Sequence, residues 1–93
     1  MRPKETLLPG VREALEQGVE AMGGEMPDRE RDVLARRFGL WDTERQTFRA
    51  LGQAYGLSVE RMRQIEAKAL RRLRANHLGP PGYDREWIER RAL

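Results

Sequence analysis

Ninety-three residues hold one domain with one modest hydrophobic core, because a chain this short buries a smaller share of its surface than a large one. With no cysteine and a single histidine, His77, neither a disulfide framework nor a zinc site of thiolates or paired imidazoles is available, and no metal or cofactor is expected. The net charge of +3 is mild, the N-terminus lacks a signal-peptide core and no apolar run has the length of a membrane span, so a cytoplasmic protein with no membrane partner is expected.

Residues 1–10 read as an N-terminal tail. From Val11 to Met22, the apolar side chains Val11, Leu15, Val19 and Met22 recur at helical spacing, and Gly23 and Gly24 end the helix. Pro27 suits the first position of a second helix, with Asp28 and Glu30 in the first turn, where the helix dipole favours acids. Val33, Leu34 and Phe38 form its apolar stripe and Gly39 its stop. The polar stretch Trp41 to Gln46 reads as a loop. Thr47 caps a short helix through Tyr55, which Gly56 breaks. Ser58 caps a longer one of about five turns with Met62, Ile65, Ala69 and Leu73 on one side. Gly79, Pro80, Pro81 and Gly82 make a linker, after which Asp84 caps a short fifth helix through Glu89 that carries Trp87 and Ile88. The expectation is an all-α domain of four to five helices over residues 11–77, with residues 78–93 as a C-terminal extension.

Charge is distributed unevenly along this framework. Residues 1–44 carry seven basic and ten acidic groups, whereas residues 45–77 carry Arg45, Arg49, Arg61, Arg63, Lys68, Arg71, Arg72 and Arg74 against only Glu60 and Glu66. A local basic block is the footprint of a nucleic-acid partner, because each phosphate contact releases condensed counterions. A solvated helix face has a similar composition, so the surrounding pattern must decide. That pattern is a helix-turn-helix. With Gly56 as the turn residue, Gly52 falls where two helices cross and only a small side chain fits. Leu51, Tyr55, Leu57, Met62 and Ile65 are apolar where the two helices must face each other. Glycine at the turn permits the left-handed backbone that joins helices at a steep angle. On the helix after Ser58, Glu60, Arg63, Gln64, Ala67 and Arg71 share the side opposite the apolar stripe. Arginine there can pair with guanine, glutamine with adenine, and glutamate with the cytosine amino group.

Two stretches carry a family resemblance. Met26 through Leu40, followed by Ser58 through Arg74, resembles region 4 of primary sigma factors of the sigma-70 family, and the run Arg63 to Leu70 is close to a fingerprint of that region. The resemblance implies that Thr47 to Arg74 reads a −35-like promoter element. Its implied DNA-binding set is Thr47, Arg49, Ser58, Val59, Glu60, Arg61, Arg63, Gln64, Lys68 and Arg71, with Glu60, Arg63 and Gln64 at the bases. Lys68, Arg71 and Arg74 resemble residues that meet the DNA backbone or acidic patches on activators. It also implies that the two preceding helices form an apolar groove for the flap of the RNA polymerase beta subunit, assigned to Leu15, Val19, Val33, Leu34 and Phe38. In a domain too small to cover every apolar side chain, part of that groove is expected to be exposed.

The departures from the family bear on function. Val59 stands where an arginine that contacts DNA is usual, Arg49 and Ala50 replace acids, and Gly23 and Gly24 are inserted before the proline. Nothing resembles regions 2 or 3, so the chain alone is not expected to initiate transcription. It is either an excised domain or a free-standing regulator, and Met1 with the unfamiliar tail after Leu78 favours the second. The leading expectation is a DNA-binding transcription factor, with an activator or anti-sigma protein as a further partner. The alternative is a sigma-mimicking protein that binds polymerase and scarcely reads DNA, a reading that Val59 keeps open. An enzyme is not expected, since no phosphate loop, metal-ligand cluster or nucleophile pair is visible. Trp41 and Trp87 either anchor interfaces or lid the core, and the small size favours lids. His77 near the end of the long helix suits the negative pole of its dipole.

Overall fold

The computed structural model describes residues 10–83 and 85–92, and among them the chain is all-helical. The helices are α1 (Val11–Met22), α2 (Asp28–Phe38), α3 (Phe48–Tyr55), α4 (Val59–Ala75) and α5 (Arg85–Ala92), with single 3-10 turns at Gly23–Glu25 and Leu40–Asp42. Most of the expected N-terminal tail and the expected cap at Asp84 lie outside the described residues. No described helix is long and apolar enough to cross a membrane.

The periodic side chains do what their spacing requires. Val11, Leu15, Val19 and Met22 all turn inward from α1, together with Gly18, where an added Cβ would sit 3.2 Å from Leu73 and 3.3 Å from the backbone nitrogen of Gly79. Pro27 is the N-cap of α2, one residue outside the position expected for it, and its carbonyl accepts the first intrahelical bond from Arg31. Glu30 is buried on α2 because it holds the Arg72 guanidinium of α4 through two hydrogen bonds of 2.7 and 3.0 Å. Gly39 ends α2 in the left-handed conformation, with φ of 69°.

The stretch after Gly39 is less open than a polar loop. Leu40 is fully buried, and Trp41 and Asp42 take positive φ values of 51° and 61°. Carboxylates of α1 hold this turn: the Trp41 backbone N–H donates to Glu16 at 2.7 Å and its indole N–H to Glu20 at 3.1 Å. Trp41 itself remains 40% exposed, so it is not a lid on the core. Trp87 is one, half-buried and stacked on Tyr83 at 4.1 Å between ring centroids.

Two apolar clusters result. A large one joins α1, α2, Leu40, the later half of α4 and Ile88 of α5, with Leu78, Tyr83 and Trp87 packed against it. A small one, Val33, Leu51, Met62 and Ile65, lies under α3 and the start of α4. This arrangement corrects the expected groove. Leu15, Val19, Val33, Leu34 and Phe38 are all buried, none more than 4% exposed. The covering comes from the Leu40–Asp42 turn and from the C-terminal extension, whose Tyr83 ring lies 6.4 Å from that of Phe38, while Val33 is sealed under the α3–α4 pair.

A polar tie also joins α3 to α2. The Tyr55 hydroxyl donates to Asp32, which is bound in turn to Arg36 at 3.0 Å. Burial, then the hydrogen bond to Asp32 and the charge of that carboxylate, push the Tyr55 hydroxyl up to about 12 from 10.0. A group that holds its proton more tightly when folded contributes stability fully below its unfolded value, and loses it as pH rises through the folded value. The melting temperature should therefore fall between pH of about 10 and 12, and Tyr55→Phe should flatten that fall. An unchanged alkaline profile in the Phe variant would remove Tyr55 as its cause.

Candidate nucleic-acid interface

Thr47 and Ser58 set the two helices of the motif. The Thr47 Oγ1 accepts from the Ala50 N–H at 3.0 Å and opens α3, and the Ser58 Oγ accepts from the Arg61 N–H at 3.0 Å and opens α4. Each hydroxyl keeps its own proton, so both can still donate to a phosphate oxygen. Between the helices Gly56 has φ of 70°, and the Leu57 N–H donates back to Gly52 at 2.9 Å. A Cβ on Gly52 would lie 2.6 Å from the Leu57 carbonyl oxygen. The closest approach is therefore between α3 and the turn itself, and any larger residue would open the angle at which α4 is presented.

On α4 the apolar side is as expected, with Met62, Ile65, Ala69 and Leu73 all buried. The opposite side is rotated from the expected one. Glu60, Arg61, Gln64, Lys68 and Arg71 are exposed, while Ala67 is fully buried and Arg63 only half-exposed. α5 packs along α4, and Ala67 and Leu70 belong to the same buried cluster as its Ile88. Arg63 leans instead over the Phe48 ring at 5.4 Å, with Glu60 at 4.0 Å. Of the remaining expected DNA-binding residues, Thr47, Arg49, Ser58 and Val59 are all exposed, at the start of α3 and α4.

The free cations define the electrostatics. Arg49, Arg61, Lys68 and Arg74 meet no carboxylate among the described residues, and Arg71 meets only Glu89, at 3.5 Å. Arg72, counted in the basic block, is instead committed to Glu30, which raises its already high proton affinity. Arg37 likewise serves the interior: it pairs with the fully buried Glu66 at 3.3 Å, donates to the Gln46 carbonyl at 2.7 Å and lies 3.9 Å from the Phe48 ring centre.

Sequence reading missed one part of this surface. Pro27 and Arg29 at the start of α2 and Arg61, Ile65, Lys68 and Arg72 of α4 line a common cleft, with Glu30 at its floor. Arg29 also lies 5.9 Å from the centre of the Tyr55 ring. The basic surface thus continues from α4 onto α2, which is visible only once the two helices are side by side. No group of His, Cys, Asp or Glu among the described residues has the arrangement of a metal site.

Residues 24–75 match the family described as Sigma-70, region 4. The chain is 43% identical over 72 residues to the RNA polymerase sigma-C factor of Nostoc sp., an alignment covering 77% of this chain and 17% of that protein. It is 47% identical over 62 residues to the RNA polymerase sigma factor SigA of Listeria monocytogenes, covering 67% of this chain and 17% of that protein. The chain therefore aligns with only 17% of the length of these two relatives. No solved structure matches it.

Proposed function

Because the chain belongs to the sigma-70 region 4 family, a family of non-enzymatic transcription-factor domains, we propose that it reads a −35-like promoter element with α4 and contacts the beta flap of RNA polymerase. One observation carries the DNA half: a helix-turn-helix whose second helix exposes Arg61, Gln64, Lys68 and Arg71 in a row while its other flanks are buried. In this reading Glu60 and Gln64, on the first turns, face base edges. Arg61, Lys68 and Arg71 serve phosphates, together with the hydroxyls of Thr47 and Ser58, with Arg49, and with the cleft beside Arg29. Arg63, half-covered by Phe48, reaches the groove from its edge. Val59, 36% exposed at the start of α4, offers an apolar surface suited to a thymine methyl.

The flap half of the reading rests on family membership. With Leu15, Val19, Val33, Leu34 and Phe38 buried, those side chains shape the contact surface from beneath and do not meet the partner themselves.

The test is binding to a −35-like duplex against a scrambled duplex of equal length. Gln64→Ala should weaken the first by about 1 to 3 kcal/mol and leave the second nearly unchanged, because base contacts specify and phosphate contacts do not. Equal losses on both would remove Gln64 from the bases. No preference in the wild-type chain would leave a polymerase-binding domain as the better reading.

A further inference from the structure

The ring of Phe48 is shared by two guanidinium groups. Arg37 stands over it at 3.9 Å from the ring centre and Arg63 at 5.4 Å. Phe48 is the first residue of α3, directly after the Thr47 cap, and it packs half-buried against the cluster of Val33, Leu51, Met62 and Ile65. Arg37 is pinned in turn by the fully buried Glu66 at 3.3 Å and by the Gln46 carbonyl at 2.7 Å. The ring is thus fastened to the interior, while Arg63 comes to it from the helix that carries the exposed basic row. The Glu60 carboxylate, 4.0 Å from Arg63, is exposed and adds little to this hold. Arg61 stands in contrast on the same helix, exposed, with its guanidinium at 3.5 Å from the Gln64 side-chain oxygen. A leucine at position 48 would still cover the cluster, but it has no negative ring face to offer a cation.

We propose that Phe48 is a positioning residue for DNA binding, whose ring holds the Arg63 guanidinium beside the start of α3 and delivers it to a backbone phosphate, leaving the bases to Glu60 and Gln64. The inference rests on the reading of α4 as the recognition helix. Thr47 and Arg49, exposed at the start of α3, supply further donors suited to phosphate on that side. An arginine loses rotamer freedom when it is fixed, and one already held on a ring loses less of it when DNA arrives. A guanidinium stacked on an aromatic face keeps its N–H edges turned outward, so the hold on Phe48 and a bond to phosphate are compatible. Phe48 acts in this role through Arg63 and needs no DNA contact of its own.

The test is a double-mutant cycle on affinity for the −35-like and the scrambled duplex. Phe48→Leu should weaken binding to both by about fivefold, the fold-change of one cation–π contact, and Phe48→Tyr, which keeps the ring, should stay within about 1.5-fold of wild type. In an Arg63→Gln background the leucine change should cost nothing further. Stability lost with the contact to Arg37 is common to both backgrounds and drops out of the cycle. Equal losses with and without Arg63 would make Phe48 only a cover for the small cluster and overturn the proposal. A loss confined to the −35-like duplex would place Arg63 on the bases and also overturn it. A second readout uses no DNA. In the free chain the Arg63 Nε–H should show a ring-current shift and an NMR order parameter above that of Arg61, and Phe48→Leu should remove both differences. An Arg63 as mobile as Arg61 in the wild-type chain overturns the proposal, whether or not Phe48→Leu folds. A held Arg63 in a wild-type chain that binds neither duplex supports the placement by Phe48 and removes the recognition-helix reading, so the two failures are distinct.

Discussion

Arg37→Ala should lower the stability of the chain by about 3 kcal/mol, a shift of roughly 15 °C in melting temperature for a domain of this size. Glu66 has no exposed surface, and the Arg37 guanidinium that faces it is only 15% exposed. Taking the cation away removes one counter-charge from a fully buried carboxylate, and the desolvation left uncompensated is larger than the net value of the intact pair. The same substitution removes the donor to the Gln46 carbonyl and the stacking on Phe48, and so loosens the entry into α3. The control is the double variant Arg37→Ala with Glu66→Met, in which no charge is left behind and most of the loss should return. A thermal melt of each variant checks both, and a single variant within about 1 kcal/mol of wild type would mean that water reaches Glu66 freely.

Replacing Arg61, Lys68 and Arg71 together by glutamate should reduce DNA affinity by at least about 100-fold on specific and scrambled duplexes alike. Each phosphate contact adds close to −0.9 to the slope of log affinity against log salt, so the three together should lower its magnitude by about 2 to 3. All three side chains are exposed and only Arg71 meets a carboxylate, so the helices should survive the change and circular dichroism should verify it. Affinities measured across a salt series carry the decision. A slope that does not move assigns the α4 row to a protein partner instead.

The local features were legible because they are decided within a few residues. Thr47 and Ser58 are N-caps by the chemistry of one hydroxyl and one nearby N–H, and Gly39 and Gly56 are stops by the steric freedom of a missing Cβ. The inward side of α4 follows from Met62, Ile65, Ala69 and Leu73 alone. What failed were statements about what lies outside a helix. A helical wheel defines the outward side only as the complement of one apolar stripe, whereas α4 packs against both α2 and α5 and Ala67 falls inside the shared cluster. The exposed groove was inferred from a domain too small to cover every apolar side chain, and the turn at Leu40 and the C-terminal segment supply the missing cover. The ordered turn at Trp41 depends on Glu16 and Glu20, more than twenty positions earlier. One signal for Glu66 was present. It lies four residues after Met62 and seven before Leu73, within the apolar stripe, which marks it as a buried acid in need of a cation.

The uneven charge along the chain has a consequence for how this molecule meets a polyanion. Glu13, Glu16, Glu20, Asp42 and Glu44, on α1 and the segment after α2, meet no cation among the described residues and outnumber the Arg12 and Arg45 of those segments, whereas Arg49, Arg61, Lys68 and Arg74, on α3 and α4, meet no carboxylate there. Opposite poles on separate elements experience a torque in the field of a DNA duplex, felt once the two surfaces come within a Debye length, about 8 Å at physiological ionic strength. The acidic pole is pushed away as the basic one is drawn in, so the molecule turns before it touches. A larger share of encounters then begins with α4 toward the duplex, and added salt slows association by blurring that alignment as well as by weakening the attraction.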